Sequence, residues 1–186
     1  MISTNDMRPG MTLDLDGDLF TIVEYGHHKP GKGGAMVRTK LKSVKNGAVV
    51  DRTFRADEKV ELAHLDKRAM QYLYSSGTDF VFMDTESYEQ IHVSGDFVGG
   101  SAAYLKEGLV IQIPMYQGSP IGLELPSAVE LRVSQTDPGV QGDRSSAGTK
   151  PATLETGAVV QVPLFVNSGE IVRVDTRTGN YVTRVK

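Results

Sequence analysis

Short alternating apolar runs punctuated by turn residues, rather than helical periodicity, organise this chain. Met11 to Asp16, then Asp16-Gly17, then Leu19 to Tyr25 predict a tight hairpin. Asp-Gly supplies the positive-φ positions that a two-residue primed turn demands. Met36-Val37-Arg38-Thr39-Lys40-Leu41-Lys42 alternates strictly. As a strand it puts Val37, Thr39 and Leu41 on one face and Arg38, Lys40 and Lys42 on the other, about 6.6–6.8 Å apart. That spacing is on the scale of neighbouring phosphates on an RNA strand. Asn46-Gly47 marks the next turn and Ala48 to Phe54 the returning strand. Four or five short antiparallel strands in roughly 55 residues fit a small SH3-like barrel.

Beyond it the pattern stays extended. Residues 56–75 fit either strands or a helix, with extended strands favoured and a boundary near His64. Phe80-Val81-Phe82-Met83 is a short buried strand, and Glu86 to Gln90 a turn leading to Ile91-His92-Val93. Ala102 to Lys106 is the one short helix expected, ended by Gly108. Gly108-Leu-Val-Ile-Gln112-Ile-Pro114-Met-Tyr116 then matches Gly157-Ala-Val-Val-Gln161-Val-Pro163-Leu-Phe165 position for position. With one residue inserted, Ile121 to Leu125 overlays Ile171 to Asp175. A shared Gly, Gln and Pro inside one apolar pattern favours duplication over chance. The fold expected is all-β: an SH3-like (KOW-type) barrel over 1–64, then two OB-type barrels over 65–127 and 128–186. OB barrels commonly bind nucleic acid, but a fold alone assigns no function.

Composition sharpens this in two ways. The chain has no cysteine, which removes disulfides and thiolate metal sites and suits a reducing compartment. The N-terminal Met-Ile-Ser-Thr-Asn-Asp-Met-Arg lacks a signal peptide's apolar core, and no apolar run approaches membrane-spanning length. A cytoplasmic protein, without a membrane partner, is expected. Net charge is -3, which speaks against indiscriminate nucleic-acid binding, yet the average hides a pattern. The three segments carry ten basic against nine acidic residues, three against eight, and seven against six. Between Tyr25 and Lys45 stand Lys29, Lys32, Arg38, Lys40, Lys42 and Lys45, with no acid. This is either a directed electrostatic footprint or a solvated strand face.

The candidate chemistry sits in Tyr25-Gly26-His27-His28-Lys29-Pro30-Gly31-Lys32-Gly33-Gly34-Ala35-Met36. Pro30 fixes φ, while Gly31, Gly33 and Gly34 permit unusual backbone and add no bulk. Lys32 is left as the long side chain at the apex, suited to delivery into a crowded site. The same residues also describe an ordinary hairpin turn with a solvated lysine. A phosphate-binding P-loop fails on spacing, because Lys32 is followed by Gly33 and not by Ser or Thr. Adjacent histidines diverge on a strand and His64 and His92 are isolated, so no metal site is expected, and no cofactor.

The whole chain resembles bacterial elongation factor P. The resemblance is carried by Lys29 to Ala35 with Val37 to Lys42, by Gln71-Tyr72-Leu73-Tyr74, by Asp137-Pro138-Gly139-Val140-Gln141-Gly142-Asp143 and by Lys150 to Gly157. Val162-Pro163-Leu164-Phe165 and Val174 to Gly179 extend it. It implies three barrels in an L similar in outline to tRNA, acting as a monomer on the 70S ribosome between the peptidyl-tRNA and exit sites. There the family relieves stalling at consecutive prolines. Lys32 would reach the CCA end of the peptidyl-tRNA, while Lys29, Arg38, Lys40 and Lys42 would contact tRNA or ribosomal RNA phosphates. Gly142, Asp143 and Arg144 would lie near the exit-site codon, and Tyr181 and Arg184 would face the small subunit. Arg144 departs from the pattern, since the family often carries Thr there.

Many family members extend the tip lysine covalently, which implies a lysine-modifying enzyme acting on Lys32. Lysine argues against the branch that glycosylates an arginine, and Gly34, where the unmodified branch typically has proline, favours modification. The protein would not be an enzyme itself. On the residues alone two other classes compete. A free-standing OB RNA-binding module or RNA chaperone would need basic, aromatic faces, against which the acidic middle segment speaks. A hydrolytic or transfer enzyme would need a convergent nucleophile, base and acid, and none is evident.

Overall fold

The computed structural model describes residues 1–28, 34–139 and 148–186. The first sheet comprises β1 (Ile2–Ser3), β2 (Thr12–Leu15), β3 (Asp18–His28), β4 (Met36–Ser43), β5 (Val49–Arg55) and β6 (Lys59–Leu62), in the order β1-β6-β2-β3-β4-β5. Asp16 at φ 59° and Gly17 at φ 91° make the expected primed turn between β2 and β3. Met7, Leu13, Leu15, Ile22, Leu41, Phe54 and Val60 form the core.

The second sheet comprises β7 (Asp66–Ser76), β8 (Asp79–Asp84), β9 (Gln90–Ser94), β10 (Val110–Tyr116) and β11 (Ser119–Pro120), ordered β11-β10-β7-β8-β9. The third comprises β12 (Ala128–Thr136), β13 (Thr149–Leu154), β14 (Val159–Pro163), β15 (Ile171–Asp175) and β16 (Tyr181–Val185), ordered β14-β13-β12-β15-β16. Numbered within each sheet, both orders read fifth, fourth, first, second, third. The two sheets therefore share one topology, the one OB barrels use. Val129, Leu131, Val133, Ala152, Leu154, Val160, Val162, Val172 and Val174 fill the core of the third from alternate positions of β12 to β15, joined by Val166 from the loop after β14.

The sequence repeat needs correction. It aligns β10, the fourth strand of its sheet, with β14, the third strand of the other. The match reflects a shared local device. Gly108 and Gly157 both stand at φ 85°, two residues before a strand whose alternate residues are buried: Ile111 and Ile113, Val160 and Val162. The topological counterpart of β10 is β15, and residues 121–125 form no strand, only a single bridge between Gln112 and Glu124.

The helix is also displaced. Ser94 caps a turn at Gly95–Val98 (α1) by accepting from the Phe97 amide at 3.3 Å, and Gly99 at φ 53° ends it. A 3-10 stretch follows over Gly99–Tyr104, so Leu105 and Lys106 lie outside helix. The chain clusters into two compact units, 1–67 with 114–122, and 68–113 with 123–186. In the first, Tyr116 donates its phenolic O–H to Asp14 Oδ2 at 2.8 Å, and this bond raises the Tyr116 pKa.

Candidate functional site

The site is built on the hairpin of β3 and β4. A bulge at Val23 separates the pairs Ile22–Leu41 and Glu24–Lys40, after which the ladder runs Tyr25–Thr39, Gly26–Arg38, His27–Val37 and His28–Met36. The strands therefore continue past Tyr25, where the sequence suggests a loop already begins. Pairing satisfies the backbone groups of Gly26 to His28 and overrides the weak strand preference of glycine. Tyr25 stiffens the base of this arm, with its O–H 2.7 Å from His27 Nε2 and 3.2 Å from the Asn5 carbonyl oxygen. At the far end the Ala56 amide donates to the Ala35 carbonyl.

Alternation along β4 is as the sequence predicts. Val37, Thr39 and Leu41 are buried, while Arg38 and Lys42 are exposed and Lys40 is half-exposed. The core side chains lock the strand by burial, and the cations follow from period two. The three cations are not equivalent. Lys40 Nζ lies 3.1 Å from Glu24 Oε2, and the hydrogen bond and charge of Glu24 raise its pKa. Among the described residues, Arg38 and Lys42 form no ion pair.

Arg38 is paired with Gly26 on one side and Thr53 on the other. A depression of about 570 Å³ runs over this row, walled by Glu24, Lys40, Asp51 and Arg52. A second, of about 540 Å³, shares Arg38 and Thr53 and reaches His28, Met36 and Arg55. Glu24, Asp51 and Arg52 were not singled out from the sequence. Only the strand register, which sets Glu24 and Asp51 either side of Lys40, could have pointed to them.

The remaining residues divide. Lys29, Pro30, Gly31, Lys32, Gly33, Gly142, Asp143 and Arg144 lie outside the described residues. Gly34 is described, and a Cβ there would meet open space. Tyr181 packs half-buried on the third sheet's core. Arg184 is engaged twice: Nη1 lies 3.0 Å from Glu170 Oε1, and its guanidinium sits 5.1 Å from the centre of the Phe165 ring. Among the described residues no three metal-ligating side chains converge, and no helix is long and apolar enough to cross a membrane.

The fold and this arm together define a class: a KOW-like sheet joined to two sheets of OB order. The chain belongs to the elongation factor P family, and its role is that of a translation elongation factor. The family's KOW-like domain matches residues 3–60, its OB domain 65–123 and its C-terminal domain 129–184. Elongation factor P of Frankia casuarinae is 60% identical over 100% of this chain and 99% of its own. That of Coprothermobacter proteolyticus is 57% identical, covering 100% of both. Among solved structures, eukaryotic translation initiation factor 5A from Methanococcus jannaschii superposes with a TM-score of 0.56 at 22% identity. It covers 67% of this chain and 91% of its own, and at that identity the likeness speaks for the fold alone.

Proposed function

We propose that this factor binds the 70S ribosome between the peptidyl-tRNA and exit sites and speeds peptide bonds that form slowly at consecutive prolines. The observation that carries the reading is the β3–β4 arm. It is a paired ribbon reaching His28–Met36, with Lys29 to Gly33 as its next residues and with Arg38 and Lys42, which form no ion pair among the described residues, exposed along it.

Proline's ring constrains both the nascent chain and the attacking amine, so reactive geometry is rarely sampled. Lys32 acts by holding the CCA end of the peptidyl-tRNA still, a contribution of orientation rather than of acid–base chemistry. The factor is thus not itself an enzyme. Lys29, Arg38 and Lys42 contact phosphates of tRNA or ribosomal RNA as charge-assisted donors, and Lys40 joins them to the extent that Glu24 releases it. Residues 142–144 meet the exit-site codon, while Tyr181 and Arg184 frame the side facing the small subunit. The factor works as a cytoplasmic monomer, in three modules bounded near residues 64 and 127, and a lysine-modifying enzyme extends Lys32.

The test is reconstituted translation of matched templates with and without a Pro-Pro-Pro run. Adding the factor should raise the rate on the proline template and leave the other nearly unchanged. Equal effects on both, or none, would contradict the reading. Intact mass of protein purified from its native cell, with peptide mapping, should place any added mass on Lys32.

A further inference from the structure

Arg55 ends β5 with its backbone held and its side chain exposed. Its amide donates to Glu58 Oε2 at 3.0 Å, and its carbonyl oxygen accepts from the Thr4 hydroxyl at 2.8 Å and the Glu58 amide at 3.3 Å. The next amide, that of Ala56, donates to the Ala35 carbonyl at 2.9 Å. These bonds fix where the side chain starts, and none of them uses the guanidinium. Among the described residues Arg55 forms no ion pair. Glu58 stands close by, but its carboxylate is turned to the Arg55 amide. A forked, permanently charged donor on a fixed backbone is set to receive an anion.

Strand register sets this guanidinium beside that of Arg38. Met36 pairs with His28 on one side and Arg55 on the other, and the adjoining row is Gly26, Arg38 and Thr53. Residues directly opposite share a face, as do residues two apart on one strand, so His28, Met36, Arg38, Thr53 and Arg55 all lie on the open face. Arg38 and Arg55 are diagonal neighbours, about 7–8 Å apart at the backbone, on the scale of adjacent phosphates on an RNA strand. Arg38 and Lys42 are about 13–14 Å apart along β4, with Lys40 between them held by Glu24. The depression of about 540 Å³ is lined by both arginines, and His28 and Met36, itself 41% exposed, lie beside them in its wall.

We propose that Arg38 and Arg55 clamp two successive phosphates of one RNA strand, with the intervening ribose and base laid on Met36 and His28. The site carries the basic face from β4 onto β5 and turns the bound strand across the sheet instead of along β4. It rests on reading this face as the one that meets RNA. The paired guanidiniums suit a phosphodiester, and the apolar and aromatic row beside them suits a strand over a free phosphate ion.

The test is binding of the full-length factor to 70S ribosomes over a salt series at pH 8, for wild type, Arg55→Ala, Arg55→Lys, Arg38→Ala and His28→Ala. Arg55→Ala should lower the slope of log affinity against log salt by about 0.7–0.9 units, as loss of one phosphate contact does. Arg55→Lys should restore the slope, because it keeps the charge. His28→Ala should weaken affinity about fivefold across the series, the low end for one stacked base. Arg55→Ala should melt with wild type, since its backbone bonds remain, and Arg55→Gln takes its place if it does not. The chain has no cysteine, so Val49→Cys, exposed on the same face of β5, can carry a tethered iron chelate. Hydroxyl radicals from it should cut an RNA strand of the complex, and cuts confined to ribosomal protein would overturn the proposal. A wild-type slope for Arg55→Ala beside a lowered slope for Arg38→Ala would also overturn it, and would leave the reading of the face standing. Wild-type slopes for both would sink the site and that reading together. Wild-type affinity for His28→Ala would overturn the base contact.

Discussion

Arg38 on β4 and Arg184 on β16 carry the same charge and stand in opposite circumstances. Arg38 has Gly26 and Thr53 as its cross-strand neighbours, so neither residue directly opposite it is a carboxylate. Arg184 has Glu170 at 3.0 Å and the Phe165 ring beneath it. Lys40 falls between them, on the same face as Arg38 but held by Glu24. A cation already bound to a carboxylate must break that bond before it can neutralise a phosphate. Formal charge along a strand therefore overstates what a face can offer, and cross-strand register decides which charges remain available.

That contrast can be tested by perturbing each member. The largest effect should come from Arg38→Ala with Lys42→Ala. Losing two phosphate contacts should lower the slope of log affinity for ribosomes against log salt by about 1.4–1.8 units, at about 0.7–0.9 per contact. Folding should stay within about ±0.5 kcal/mol, as is usual for exposed sites. Glu24→Gln should act in the opposite direction and more weakly. Freed Lys40 should tighten ribosome binding at low salt and steepen the slope by less than one unit. Arg184→Ala should leave the slope nearly unchanged and instead lower the melting midpoint, reflecting about 1 kcal/mol from the ring contact and ion pair. A slope change for Arg184→Ala equal to that of Arg38→Ala would erase the distinction.

The smallest effect concerns carboxylates held first by backbone amides and only secondarily by a cation, Arg68 beside Asp84 and Arg177 beside Asp175. Asp175 accepts from the Arg177 and Thr178 amides, and Asp84 from those of Glu86 and Ser87, which holds both pKa values below the ordinary carboxylate value. A depressed folded pKa gives stability that is full above the unfolded value, near pH 4, and is lost as pH falls through the folded one. Thermal melts between pH 5 and 2 should show this loss, and Asp175→Asn should flatten part of it.

Much of this was legible in the sequence, for reasons that differ by residue. Asp16-Gly17 was readable because a primed turn demands positive φ, and β4 because alternation admits one buried face. The placement of β10 against its sheet was not, because Gly108 and Gly157 precede strands with the same local pattern at different topological positions. Strand order depends on long-range pairing that a local motif does not encode. The α1 turn was missed because its signal is one capping serine, Ser94, within a glycine-rich stretch. Glu24 escaped notice because the bulge at Val23 sets its register with Lys40. Lys150 reads as a surface residue until the phase of β13 is known.

The central claim is that Lys32 acts on the reacting tRNA end while the basic face supplies binding. The most direct measurement is the rate of Pro-Pro-Pro synthesis at saturating factor for wild type, Lys32→Ala, Lys32→Arg and the Arg38→Ala/Lys42→Ala pair. Both Lys32 variants should stay near the rate without factor however much is added, since a planar guanidinium replaces neither the ammonium nor its modification. The basic-face variant should approach the wild-type rate once enough is present. A Lys32→Ala factor that reached the wild-type rate at saturation would contradict the account.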